Sequence, residues 1–339
     1  MSRVFVRGLG AVSPAGWSLP ALRAAAEHHE PLPVQSLARP GWAEPLRVRQ
    51  VPTPVDRPRI LAHPRLRRSS AISHYAVAAA LEALGPDVAD GAWVAERLGI
   101  VVCVMAGSVC YSRRFFEETL RDPATASPLV FPETVFNAPA SHLAACLGAG
   151  GSNYTLVGDN GAYLQGVALA ADWLLNGRVA GCLVIGAEET DWIMADALRL
   201  FRRRAVHSAG AGALYLVAED RAQTFAELVA VTDAFSFADR REQVEAARRM
   251  RAQLPAGAPG ELLCLSTRNL PGADLAEENA WGDWPGARLA PKVVLGEAFT
   301  AAAAWQCVLA CESLRRGKFK AANVSVVGAS QQAIGARFA

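Results

Sequence analysis

The sequence predicts an α/β fold built from two related halves, and three observations carry that prediction. An apolar helix over Leu164–Asn176 stops at Gly177, and a strand over Leu183–Ile185 then runs into Gly186 and Ala187. The same order returns later: a helix over Ala302–Arg316 stops at Gly317, and a strand over Val324–Val327 runs into Gly328 and Ala329. Each set is preceded by a short apolar run with strand character, Ile100–Met105 and Leu262–Ser266. With 52% hydrophobic and 19% charged residues, the chain can bury a large core, which excludes global disorder. The join falls near residues 220–228, giving an N-terminal half over 1–222 and a C-terminal half over 223–339.

Taken in order, Val4–Gly8 reads as the first strand and Leu19–Glu27 as a helix. Between Pro31 and Pro64 the prolines exclude a long helix, so 31–64 reads as an ordered excursion outside the core. Ser73–Leu84 is an alanine-rich helix and Leu98–Met105 a buried strand. Val135–Leu147 reads as a helix interrupted at Pro139, and Tyr154–Val157 as a short strand. Leu164–Asn176 is apolar on nearly all sides, which predicts a central position. Leu183–Gly186 and Gly212–Ala218 complete the strands of the first half.

The composition also excludes several function classes. Lys+Arg 34 against Asp+Glu 32 leaves a net charge of +2, with no basic excess for nucleic acid. No apolar run approaches the ~18 residues of a membrane span, and the N-terminus lacks the apolar stretch of a signal peptide. The mean hydropathy of +0.16 then points to a surface hidden in a permanent interface. Seven cysteines without a CxxC pair read as free thiols in a reducing cytoplasm. Histidine spacing fits no metal site, and neither a metal nor a cofactor is expected. Of the cysteines only Cys110, after a strand end, is a candidate exposed thiol; no G-x-S-x-G elbow marks a serine hydrolase.

Six segments, in order, resemble the β-ketoacyl synthase family. They are Val4–Gly16 (VFVRGLGAVSPAG), Arg67–Ser70 with Ala76–Leu81, Asn137–Gly148 (NAPASHLAACLG), Gly177 followed by Gly186-Ala187-Glu188, Ser208–Glu219 (SAGAGALYLVAE), and Lys292 with Gly296 before Ala301–Ala304. The resemblance spans almost the whole chain. It implies the thiolase-like fold, duplicated α/β halves in a five-layer α-β-α-β-α arrangement.

Active members of that family use a cysteine at a helix N-terminus, where the dipole favours its thiolate, and two histidines that stabilise an enolate. Counting from the flanking motifs puts the cysteine position at Asn160. Asp274 and Glu277 fit the residues that follow the first histidine, which places it at Ser266; the second histidine position, after Gly296 of the lysine motif, is Glu297. An asparagine cannot form a thioester, and a carboxylate repels a developing enolate. The resemblance therefore implies no catalytic residue of its own, only the degenerate positions Asn160, Ser266 and Glu297 beside the retained Lys292 and Gly296.

Within the family, this pattern resembles the chain-length factors of type II polyketide synthases, including the shorter ones of aryl polyene systems. The implied role is that of a non-catalytic subunit in polyketide or fatty-acid assembly. It would form a heterodimer with an active β-ketoacyl synthase and serve acyl carrier protein through the complex. Tyr154–Val157 is implied at the dimer interface, with Tyr154 and Leu156 as candidates. Phe115, Phe116, Thr119 and Phe136 are tunnel or interface candidates; aromatic residues at helical spacing also fit a packed core. The family's loop between Asp191 and Gly210 is replaced by Phe201–Arg204, whose arginines are a candidate carrier contact or simply solvated. Two alternatives stay open: a malonyl-carrier decarboxylase, and a non-catalytic acyl-binding homodimer.

Overall fold

A computed structural model describes residues 3–54, 58–85, 95–218, 224–270, 272–329 and 331–339. The first half runs β1 (Val4–Val12), α1 (Leu19–His28), β2 (Gln35–Leu37), β3 (Leu46–Arg49), α2 (Ala71–Leu84), β4 (Leu98–Val104), α3 (Val109–Arg121), α4 (Ala138–Leu147), β5 (Asn153–Val157), α5 (Ala162–Leu175), β6 (Gly181–Glu188), α6 (Trp192–Phe201), β7 (His207–Ser208) and β8 (Gly210–Val217). The second runs β9 (Ala226–Val231), β10 (Phe235–Ser236), α7 (Arg240–Ala252), β11 (Leu262–Cys264), α8 (Leu275–Ala280), β12 (Ala287–Leu289), α9 (Pro291–Leu295), α10 (Phe299–Arg315), β13 (Ala322–Val327) and β14 (Gln332–Phe338). The expected boundary at 222/223 lies outside the described residues.

The strand order is β5-β4-β6-β8-β1 in the first half and β12-β11-β13-β14-β9 in the second. These are the same order by position in each half. β1 and β9 pair antiparallel, so the two series join into one continuous sheet. Three buried clusters alternate with the strands. One centres on α2 and α4, one on α5 and α10, and one on α7 and α8. This is the five-layer α-β-α-β-α arrangement.

Glycine accounts for two recurrent features. Gly177 and Gly317 both take φ 67, in the left-handed region. After α5 the amides of Gly177 and Arg178 bond the carbonyls of Leu174 and Trp173; after α10 those of Gly317 and Lys318 bond Leu314 and Ser313. In β1, Gly8 and Gly10 let α2 lie on the strand: a Cβ at Gly10 would come 1.9 Å from the Ala79 carbonyl oxygen.

One sequence expectation is corrected. The helix ending at Leu147 is not interrupted at Pro139; it begins at Ala138, and the proline sits in its first turn, where no amide bond is lost. Helix α5 lies in the central layer, as its apolar surface predicts, and leaves one exposed stripe of Gln165, Ala168, Asp172 and Leu175. The helix buried on every side is α10, buried without a break from Phe299 to Glu312. The proline-rich excursion contributes β2 and β3 to a separate three-stranded sheet with β7, outside the main sheet. Its β3 buries Leu46 and Val48 and pairs parallel with β7, setting Val48 against His207 and Arg49 against Ser208.

Candidate functional site

The tips of β7, β11, α9 and the N-terminal ends of α5 and α10 converge on one buried polar cluster. Asn160 lies two residues before α5 and is fully buried. Its side-chain amide donates to Glu297 Oε1 at 2.8 Å and to the Phe299 carbonyl at 2.9 Å. Phe299 carries φ 43, unusual for a side chain of its size. A helix-capping role for Asn160 is not what the structure shows. Gly161 occupies the cap position without a side-chain cap bond, and the Asn160 Oδ1 has no hydrogen-bond partner.

Glu297 is the hub. Oε1 also accepts the Phe299 amide at 2.9 Å, while Oε2 accepts Arg268 Nη1 at 2.7 Å and Lys292 Nζ at 3.0 Å. Burial works to raise this carboxyl, but Lys292 and then Arg268 outweigh it and hold it at about 2. It is therefore an anion at neutral pH. Gly296 takes φ 93, and its neighbour Glu297 exchanges backbone bonds with the β7 segment: its amide donates to the Val206 carbonyl and its carbonyl accepts the Ser208 amide.

Ser266 follows β11 and is buried. Its hydroxyl donates to Glu277 Oε2 at 2.7 Å, and its oxygen accepts the Val327 amide at 3.0 Å. Ser325 donates to the other oxygen of Glu277. Burial pushes the Glu277 carboxyl up to about 7, against these hydrogen bonds. Asp274 Oδ2 accepts the amides of Arg268 and Leu270, folding the loop after Ser266. The structure thus brings Asn160, Glu297 and Lys292 into direct contact. Ser266 is bound to Glu277 and not to Asn160.

Sequence reading missed Arg268, Phe299 and His207 here. Arg268 was marked only by being a basic residue between Ser266 and Asp274. The His207 ring is buried, lies 5.9 Å from the Phe299 ring, and leaves Nδ1 without a partner. Burial lowers its pKa, so it is a neutral imidazole. Glu188 ends β6 and belongs to the Gly186-Ala187-Glu188 segment, while Glu189, the next residue, carried no sequence signal. Glu188 accepts the amides of Met105 and Ala106 and the Thr300 hydroxyl, and burial pushes its carboxyl up to about 8. Glu189 accepts the Ser70 hydroxyl and the amides of Ile72 and Cys110.

Cys110 is no activated nucleophile. Its thiol is raised by burial and then by Glu189, which disfavours the thiolate. All seven cysteines are free. Among the described residues no cluster of His, Cys, Asp and Glu is placed to hold a metal, and no helix is long and apolar enough to cross a membrane.

The tunnel and interface candidates form an outer group. Phe115 is half-buried, with its ring 5.4 Å from that of Phe131, and the Thr119 hydroxyl bonds back to the Phe115 carbonyl. Phe116 and Phe136 are exposed. Tyr154 is exposed with its ring edge-on to Trp173, whereas Leu156 packs against the central core. Strand β5 pairs with β4 on one side and has no strand on the other among the described residues. A separate apolar cavity of about 380 Å³ lies among Met105, Met194, Leu198, Phe201, Phe299 and Ala329. Arg202 lines it and donates to the Ala329 carbonyl.

No family model matches the chain, and no curated protein does. Solved structures do. The ishigamide ketosynthase/chain length factor is 21% identical with a TM-score of 0.79, over 99% of both chains. A β-ketoacyl synthase from Burkholderia phymatum is 18% identical with a TM-score of 0.81, over 100% of this chain and 99% of that one. A ketosynthase in complex with its chain length factor, from Xenorhabdus doucetiae, is 13% identical with a TM-score of 0.75, over 99% and 98%. At these identities the likeness shows the fold, the thiolase-like architecture of ketosynthases, from end to end of the chain.

Proposed function

We propose that this chain is a catalytically silent ketosynthase homologue that acts as a chain-length factor. It pairs with an active β-ketoacyl synthase and completes the channel in which a carrier-bound chain grows. The observation that carries the reading is the Asn160–Glu297 contact. At the helix end where a nucleophile would sit there is an amide, and its NH2 is used up by a fixed carboxylate and a backbone carbonyl. Such a site offers no thiolate, and the two positions where histidine donors would stand hold a serine and a fixed carboxylate. Ser266 is likewise spent on Glu277.

Several features support pairing. β5 presents an open edge with Tyr154 and Val157 exposed, beside the exposed α5 stripe that ends in Leu175. Exposed strand edges and apolar patches in a stable protein are covered by a partner. Phe116, Leu120, Leu129, Phe131 and Phe136 extend the apolar surface around α3, where the channel wall would form. The solved relatives include a ketosynthase bound to its chain length factor, and another likeness is to a complex of a type II acyl-carrier protein with its ketosynthase. The proposed carrier contact through Arg203 and Arg204, which are exposed, belongs to the same reading.

The test is co-expression with candidate ketosynthases, followed by mass and stoichiometry. A 1:1 heterodimer that elongates carrier-bound chains, with no elongation by this chain alone, is the expected result. A stable homodimer that ignores every ketosynthase, or malonyl-carrier consumption by the isolated chain, would replace this reading with one of the two alternatives.

A further inference from the structure

A second cavity, about 180 Å³, opens beside the polar cluster on the side of the proline-rich excursion. Its cationic lining is Arg49, Arg204, Arg268 and Lys292, with Glu297 as the one carboxylate. Arg204 and Asn269 are exposed, and through them the cavity meets solvent. Arg49 is the decisive residue. It is only 8% exposed, and its side chain makes a single hydrogen bond, from Nε to the Leu32 carbonyl at 2.8 Å. Among the described residues its two terminal nitrogens have no acceptor and no ion pair holds it. Burial, followed by the charge of Arg47, lowers its pKa, with no carboxylate acting the other way.

A largely buried guanidinium that faces a small cavity without a counter-ion among the described residues favours an anion there. The neighbours cannot. Glu297 is already engaged on both oxygens. Asp274 uses Oδ2 on the loop amides and stands 3.6 Å from Arg268 Nε through Oδ1, so its charge is already paired with Arg268. Glu277, near Lys292, has its carboxyl pushed up to about 7. The buried Lys292 ammonium has three donors and bonds one acceptor. The cavity is therefore left with a surplus of positive charge and of unfilled N–H donors.

We propose that this cavity is a binding site for a small oxyanion, the phosphate or carboxylate group of a small molecule. Arg49 grips it with its planar fork, with Lys292 behind and Arg204 at the mouth. At about 180 Å³ the space holds the volume of roughly six waters, enough for the anionic group and a few further atoms. The strand pairing of β3 with β7 is what carries Arg49 to this place, which gives the proline-rich excursion a function.

The test uses the full chain, with its partner if it co-purifies with one. Calorimetric titration at pH 7 with sodium phosphate and, separately, sodium malonate is compared with sodium chloride at matched ionic strength. Saturable binding of at least one of the two anions is expected, weakened at least tenfold in Arg49→Gln and several-fold in Arg204→Ala. Preference between phosphate and malonate tells which source the site serves. Because Arg49 is buried, Arg49→Gln could fail to fold; Arg204 is exposed, so Arg204→Ala decides in that case. No saturable binding of either anion by the folded protein, or affinities unchanged in the folded variants, would overturn the site.

Discussion

The side-chain amide of Asn160, two residues ahead of α5, stands 2.8 Å from Glu297 Oε1, two residues ahead of α10. The carboxylate is fixed from behind by Lys292 and Arg268, so Asn160 faces an immobile anion. Asn160→Ala removes two buried hydrogen bonds and is expected to cost about 1–3 kcal/mol. Asn160→Asp puts a second carboxylate at the same contact and should cost more. Urea unfolding of the two variants checks the order; equal stabilities would mean the contact is incidental.

Asn160→Cys alone is expected to remain unacylated by an acyl-carrier or acyl-CoA donor. The new thiol would lie against the Glu297 carboxylate, which raises thiol pKa values and suppresses the thiolate. Intact-mass spectrometry after incubation with donor is the measurement. A stoichiometric acyl adduct would show that the site needs only its nucleophile.

Stability should depend on pH in two windows. Burial raises Glu188 to about 8 and Glu277 to about 7, from 4.5 in the unfolded chain. Between pH 4.5 and 8 the folded protein holds protons that the unfolded chain has released, so stability falls as pH rises through that range. Glu297, held at about 2, acts in the opposite sense: its contribution is present above pH 4.5 and is lost as pH falls toward 2. Urea midpoints from pH 3 to pH 9 should therefore pass through a maximum on the acid side of neutrality, and Glu277→Gln should flatten the alkaline limb. A midpoint that climbs from pH 5 to 8 contradicts the assignment.

The open edge of β5 makes a sharper prediction for pairing. Val157 is 55% exposed, so Val157→Lys should leave the fold intact while abolishing co-purification with a ketosynthase. Circular dichroism and size-exclusion chromatography separate the two effects. Undiminished pairing would place the interface elsewhere.

Thiol reactivity should follow burial. Cys103, Cys182, Cys264, Cys307 and Cys311 are fully buried and should label only on unfolding, leaving Cys110 and Cys146 as slow sites in the native protein. Both of these thiols are raised, chiefly by burial, so neither should outpace a free cysteine toward iodoacetamide at pH 8. Rapid labelling of Cys110 would revive it as a nucleophile.

How much of this was legible in the sequence depends on how local each signal was. Gly177 and Gly317 marked two helix ends because a left-handed residue is demanded within one turn of each. Counting from such fixed points carried the reading to Asn160 at the start of α5, and the spacing of Asp274 and Glu277 to the loop where Ser266 sits. The central place of α5 was readable from its apolar surface, but its exposed stripe was not, since apolar composition does not tell a core face from an exposed one: Leu175 and Ala168 look alike in both. Arg49 and Arg268 were invisible for a different reason. Arg268 meets Glu297 across 29 residues of sequence, and Arg49 arrives only through the β3–β7 pairing. Non-local ion pairs leave no period in a sequence.

The burial of α10 on every side also sets the timing of folding during synthesis. The strands of the first half are complete at Val217, but the helix that covers their inner face ends only at Arg315. At about 5–20 residues per second, the ribosome needs roughly 5–20 s to supply those intervening residues. Throughout that interval the part of the apolar face that α10 fills, and that α5 leaves open, has no cover of its own. The chain is thus committed to late closure, and whatever shields that face in the meantime decides how much of it reaches the native state.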